Sequence, residues 1–203
     1  MRSIDPNTLT SRDNYKFLTG SIIPRPVAFV TTLSEKGVLN GAPFSYFNIV
    51  SSDPPMISVS VQRKKGKQKD TARNAIFKGE FVVHITDESY VEQVNKTAAS
   101  LPFDESEVKE AGLSPVKSKV VVVPGVNEAK IRFECRLEHA IELGGDDDDS
   151  TCDLLIGRVV SYHILDELYE EGRIDGSRLK PVSRLAGNNY AKLGEVFSLK
   201  RPK

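Results

Sequence analysis

Residues 63–74 read RKKGKQKDTARN, a run of cations that leads into Asp70-Thr71 and then Ala72. Asp70 and Thr71 are residue types that cap helices, so a helix is expected over 72–78 with one of them accepting its free N–H groups. The exposed amides and the dipole of a helix start both favour an anion. The basic loop 63–69 running into the helix start at Asp70-Thr71 is therefore a candidate anion site. A solvated basic loop followed by an ordinary capped helix has the same pattern, and the residues alone leave both readings open.

Other residues invite chemistry less specifically. Arg25 stands between Pro24 and Pro26, which restrict the backbone and would suit a side chain aimed at a ligand; an arginine at a strand entry reads the same way. Thr31 and Thr32 offer adjacent hydroxyls, of which only one is expected to face inward. His84 lies between Val83 and Ile85 on the opposite side from both, which points to a structural or solvent-facing role. Phe103 is either a cover for a bound ring or an anchor for its loop. Cys135 and Cys152 lack CxxC spacing and are expected to be reduced thiols, and three scattered histidines make no metal cluster. The acidic run 146–149 lacks the ligand spacing of a calcium loop and reads as a hairpin tip. Lys plus Arg equals Asp plus Glu at 28 each, so net charge argues against nucleic acid and membrane surfaces as partners. The start lacks a secretory apolar run and no later stretch reaches membrane-spanning length, so the expected location is cytoplasmic.

The elements that must position these residues are mostly strands. Residues 27–33 form a strand, 34–37 a hairpin turn, and 39–50 a strand of mixed small, aromatic and polar residues. Ser-Asp-Pro-Pro at 52–55 is a turn, and 56–61 alternates with Ile57, Val59 and Val61 on one face. Residues 81–85 form another strand. Alternation is cleanest over 129–143, with Ile131, Phe133, Cys135, Leu137, His139, Ile141 and Leu143 expected to be buried and the charged residues between them wet. The return strand covers 153–165, and its Gly157 marks a bulge or a close approach. Helices are expected over 7–19 and over 89–99, the second capped by Asp87, with a loop or short helix over 101–115. Many strands, short turns and no βαβ rhythm give a mainly β, antiparallel barrel with peripheral α-helices, in one domain over 1–203.

Three ordered motifs carry a resemblance. The central one is NGAPFSYFN at 40–48, followed by SDPP at 52–55, KDT at 69–71 and Asn74. PRPVAFVTT at 24–32 precedes it and LKPVSRLAGNNY at 179–190 follows it. Together they resemble the flavin reductase-like family with the FMN-binding split barrel, and within it the flavoredoxin and nitrilotriacetate monooxygenase component B branch. The resemblance implies a Greek-key split β-barrel that pairs as a homodimer and binds FMN. It implies that Phe44, Ser45, Phe47 and Asn48 line the ring and ribityl chain. Ser60, Lys69, Asp70, Thr71 and Asn74 would lie toward the ribityl and phosphate end, with Arg25, Thr31, Arg184 and Tyr190 as further contacts. The implied reaction is hydride transfer from NAD(P)H to FMN, with electrons or reduced flavin passing to an acceptor such as a monooxygenase. The absence of GxGxxG means no separate Rossmann unit, and in this family the nicotinamide docks directly over the flavin.

The chain departs from the family at one place. Short-form flavin reductases carry Gly-Asp-His ahead of the late strand, where this chain has Ser150-Thr151-Cys152-Asp153, so the resemblance bears more on FMN binding than on the NAD(P)H step. A flavoredoxin-like FMN electron carrier without NAD(P)H activity is therefore the alternative. A cofactor-free interaction barrel is the alternative from another class, disfavoured by neutral charge and the lack of basic–aromatic interleaving. Pro181, Gly187 and Asn188-Asn189 make 181–190 a poor helix or strand. Leu185 and Tyr190 are expected to anchor that segment at the flavin pocket.

Overall fold

The period-two runs become strands and the Pro, Gly and Asp clusters become their turns in the computed structural model, which describes residues 1–145 and 150–202. A 3-10 turn at Pro6–Thr8 precedes α1 (Ser11–Ser21), β1 (Arg25–Pro26), β2 (Ala28–Leu33), β3 (Leu39–Phe44), β4 (Phe47–Ser52) and β5 (Pro55–Gln62). Next come α2 (Asp70–Lys78), β6 (Glu80–Ile85), α3 (Val91–Lys96), α4 (Glu107–Glu110), β7 (Pro115–Val116) and β8 (Gly125–Val126). The long strands β9 (Ile131–Leu143) and β10 (Cys152–Ile164) are followed by β11 (Tyr169–Glu170), β12 (Arg173–Ile174), α5 (Gly176–Leu179), β13 (Val182–Arg184) and β14 (Tyr190–Lys192).

Seven antiparallel strands make the main sheet in the order β3-β2-β6-β9-β10-β5-β4. Its two edge strands, β3 and β4, are consecutive in the chain and separated only by Ser45 and Tyr46. The expected single strand over 39–50 is thus corrected to two. The first pairs with β2, placing Phe44 against Ala28, and the second pairs with β5, placing Phe47 against Val59. A two-residue link between opposite edges requires the sheet to curl until they meet, which is the split barrel. Inside it pack Val30, Phe44, Ile57, Val59, Val61, Phe81, Val83, Cys135 and Leu155, with Ala72 and Ala75 of α2. The outer face of β2 is covered as well: Phe29 packs with Tyr90, Val94, Val108 and Val126. Thr31 and Thr32 are therefore both buried, on opposite faces, and the Thr31 hydroxyl donates to the Pro124 carbonyl at 2.8 Å.

Several boundaries differ from the expectations. The helix expected over 7–19 begins at Ser11, where Thr10 caps the Asp13 amide, and runs past Gly20. The helix expected over 89–99 is the shorter α3. Asp87 does not cap it but accepts from the Ser89 amide and hydroxyl in the preceding turn. The alternation of 129–143 holds only in part. Glu134, expected to be wet, is completely buried, while Ile141 and Leu143 are exposed. Pairing explains the second point: β6 stops at Glu80 opposite Arg136, so beyond that point β9 keeps only β10 as a neighbour. The acidic run 146–149 lies outside the described residues. Gly157 is both a register shift and a close approach, since a Cβ there would lie 2.3 Å from the Phe81 ring. Both cysteines are free thiols, with Cys135 buried.

Candidate functional site

At the start of α2 the N-cap is Lys69, which has no side chain able to accept, so neither Asp70 nor Thr71 caps the helix as expected. Asp70 lies in the first turn and pairs with Arg73. Thr71 turns inward, and its hydroxyl donates to the Asn40 Oδ1 at 3.1 Å. The first amides of α2 are left without a side-chain partner, and residues 69–71 line a cleft of 380 Å³ with Lys64, Lys67, Glu107 and the small residues Ala42 and Pro43 of β3. Burial, and then the neighbouring Lys64, hold the Lys69 ammonium below its usual pKa, so it gains by meeting an anion.

Two buried groups that the sequence did not single out as site residues build this cleft. Asp153 of β10 accepts a bidentate pair from Arg63, at 2.7 and 3.1 Å, and a third bond from Gln68 at 2.8 Å. It thereby ties both ends of the basic loop to the barrel and leaves Lys64, Lys67 and Lys69 to face the cleft. Asn40 is the second: its Oδ1 accepts from Thr71 and Thr32, and its Nδ2 donates to Glu107 at 3.0 Å. Asn74 joins through Thr32, so β2, β3, α2 and α4 share one buried polar network. Burial pushes the Glu107 carboxyl up. The available signal was a lone carboxylate and a lone amide in strands facing a basic loop, which only pairing could interpret.

The structure gathers Lys69, Asp70 and Thr71 at the cleft, with Phe44 on its wall and Asn74 one turn further along α2. Ser45 lies at the β3–β4 link. Phe47 packs against the core from β4, Asn48 is exposed, and the Ser60 amide donates to the Tyr46 carbonyl beside that link at 2.8 Å. Thr31 lies under the outer layer. Arg25 is buried, and its guanidinium donates to the carbonyls of Thr19, Ile22 and Leu185, joining the end of α1 to the C-terminal segment. Arg184 lies over the Tyr190 ring, 4.6 Å from its centre. Tyr190 borders a different cleft, of 630 Å³, beside α3. Within one chain, then, Arg184 and Tyr190 are not brought to the start of α2.

The sequence profile of the Flavin reductase like domain matches residues 19–180. The chain belongs to the flavin reductase-like family. Among solved structures it is similar to nitrilotriacetate monooxygenase component B from Bacillus cereus, at 67% identity over 98% of both chains with a TM-score of 0.97. It is also similar to the 2-nitrobenzoate 2-nitroreductase NbaA of Pseudomonas fluorescens, at 30% identity over 99% of this chain and 96% of the other, with a TM-score of 0.89. A putative flavin reductase with a split barrel domain from Shewanella frigidimarina shares the fold at 20% identity over 97% and 96% of the two chains, with a TM-score of 0.82. The cleft fits the flavin phosphate that this family implies: a helix start without a side-chain cap, three lysines, and a wall of small residues. No helix is long and apolar enough to cross a membrane, and no metal-ligating cluster occurs among the described residues.

Proposed function

We propose that this chain is an FMN-binding oxidoreductase, an NAD(P)H-dependent flavin reductase that supplies reduced flavin or electrons to an acceptor such as a monooxygenase. The observation that carries this reading is the uncapped start of α2 beneath Lys64, Lys67 and Lys69, in a chain of this family. FMN, when bound, would supply the hydride-accepting and electron-transferring chemistry. The protein's part is to bind, orient and screen. Lys69 and the first amides of α2 hold the phosphate, and Asn40, Thr71 and Asn74 keep those amides fixed. Phe44, Ser45, Phe47 and Asn48 offer the β3–β4 link to the ring system, with Ser60 behind it. Cys135 is buried in the core, where desolvation raises its thiol pKa, and it takes no part.

A homodimer completes the proposal, over one domain spanning 1–203 in the cytoplasm. Tyr15, Phe17, Leu18 and Ile22 of α1 and its exit are exposed, as are Val196, Phe197 and Leu199 in the terminal segment, and a second copy would cover them. Arg184 and Tyr190 would then reach the partner's flavin.

Fluorescence titration with FMN tests the cradle. Lys69→Ala should weaken binding by roughly 1–3 kcal/mol, the range of a charge-assisted hydrogen bond. Unchanged affinity would remove the phosphate from the start of α2. A flavoredoxin-like carrier is the second reading. It is favoured by the stretch Ser150-Thr151-Cys152-Asp153, which has no histidine where short-form reductases carry Gly-Asp-His. Stopped-flow mixing of the FMN-loaded protein with NADH and NADPH separates the two, since a carrier would not be reduced by either.

A further inference from the structure

Away from the α2 cleft, strand register places Arg132 of β9 opposite both His84 of β6 and His163 of β10, so the three side chains share the outer face of the sheet. The segment 117–127 runs over them. Where it meets the end of the sheet a cleft of 320 Å³ opens, bordered by Lys119, Asn127, Lys130, Arg132, Tyr162 and His163. It has no lining residue in common with the cleft at α2.

Arg132 is half-buried, and its stem lies across the backbone at Gly125, where a Cβ would stand 2.9 Å from the Arg132 Cδ. Its Nε is buried and has no hydrogen-bond partner, a costly state for a charged donor. Burial holds the guanidinium below its usual pKa, although the charge of Glu134 opposes this. Glu134 does not pair with it, because that carboxylate accepts the amides of Lys119, Val120 and Val121 and bonds His163. Lys130 is committed too: its ammonium donates to the carbonyls of Arg178 and Leu179 and lies 3.8 Å from Asp87. Lys119 is exposed and, like Arg132, makes no ion pair among the described residues. Two cations thus border the cleft without a counter-charge. The segment that carries Lys119 and Asn127 is also fixed in place. Glu134 holds its amides at 119–121, Thr31 donates to the Pro124 carbonyl, and His84 Nε2 accepts from the Val126 amide. An anion would meet donors already ordered.

We propose that this cleft binds the phosphate group of a small phosphomonoester, at a site separate from the flavin. Arg132, through Nε, and Lys119 hold the phosphate oxygens, with Asn127 as a neutral donor. These groups come from β9 and from the segment above it, so they approach an anion from different sides. A tetrahedral phosphate accepts from several directions, and its nearly two negative charges match the two unpaired cations. A carboxylate offers two oxygens in one plane and a single charge. The volume lies near the lower end of the roughly 300–1,000 Å³ of small-molecule sites, which suits a phosphate bearing a small organic group. The assignment is independent of the flavin reading, since the two clefts share no residue.

Isothermal titration calorimetry of the full chain with inorganic phosphate, at constant ionic strength, tests it. The chain carries Lys69→Ala throughout, so that the lysine of the α2 cleft does not contribute. The expected result is saturable binding that Lys119→Ala and Arg132→Lys, added singly, each weaken roughly tenfold, the scale of a charge-assisted hydrogen bond. Arg132→Lys keeps the charge and loses the guanidinium fork, so a loss there reports geometry and not net charge alone. The Lys119 side chain is exposed and only its backbone amide is bonded to Glu134, so Lys119→Ala folds and decides the matter even where Arg132→Lys does not. No saturable binding, or an affinity unchanged in either folded variant, overturns the proposal. Succinate binding more tightly than phosphate would overturn the phosphate assignment in favour of a dicarboxylate.

Discussion

His84 is fully buried, with Nδ1–H donating to the Phe29 carbonyl and Nε2 accepting from the Val126 amide, each at 2.9 Å. These partners require the neutral ring. Burial, with the nearby positive charge of Arg132, brings its pKa down to about 3 despite the bond to Phe29. In the unfolded chain the ring would take up a proton near its ordinary value of 6.5. The folded state thus resists a proton that the unfolded state binds, and stability falls with acidification. This loss starts below about 6.5 and continues to about 3, at up to about 1.4 kcal/mol per pH unit. His84→Gln keeps a donor and an acceptor but cannot titrate, so urea midpoints of this variant should lose most of that slope between pH 6.5 and 5. Glu134 presents the opposite lesson. Burial raises its pKa, but the amides of Lys119, Val121 and Val120 together with His163 bring it down to about 2. Alternation placed His84 off the face of Val83 and Ile85 and gave it a structural or solvent-facing role, and burial with two backbone partners selects the first. The same pattern could not foresee that Glu134 is covered, because three of its partners are backbone amides with no sequence signature and the fourth, His163, is brought to it only by strand pairing.

At the level of elements, the strands were legible wherever one face meets the core, as in 56–61, and blurred wherever the curl of the sheet intervenes. Nothing in Ser45-Tyr46 announces that the run from Leu39 changes partners there, since either residue sits comfortably in a strand. The start of α2 was legible as a helix start behind a basic loop, but not in its capping. Thr71 was drawn away by Asn40, a competition between a local and a long-range hydrogen bond that the sequence does not rank. Gly157 is the case in which one residue type carried the inference. A methyl there would meet the Phe81 ring and the Cys135 Cβ, so Gly157→Ala should destabilise by about 1–3 kcal/mol through overpacking. Adding Phe81→Leu should recover part of that loss. Additive losses in a denaturation cycle would show that the two positions are not coupled.

For the molecule as a whole, α1 and the terminal segment both leave large apolar side chains exposed in a single copy. Residues 193–202 form neither helix nor strand, and Val196, Phe197 and Leu199 are each at least 76% exposed. A stable pair of proteins covers about 800 Å² on each partner, and this segment with α1 would supply apolar area to it. Truncation after Lys192 removes the exposed residues without touching the pairing of β13 with β14. Sedimentation should then shift toward monomer, with far-ultraviolet circular dichroism unchanged. A truncated chain that sediments as a dimer would place the interface elsewhere.

Closure of the barrel through the two-residue link between its edges also bears on the order in which the chain folds. The β9–β10 hairpin is local, whereas β5 must find β10 across some ninety residues, as in Arg63 and Asp153. Loop-closure entropy delays such long-range pairing until the local hairpins exist. The Thr151 amide, bonded to the Leu143 carbonyl within the hairpin, should therefore gain protection before the Arg63 amide, which is bonded to the Thr151 carbonyl across the sheet. Pulsed hydrogen exchange during refolding would read the two amides separately. Simultaneous protection would mean that the barrel closes in one step, with no hairpin waiting for its neighbour.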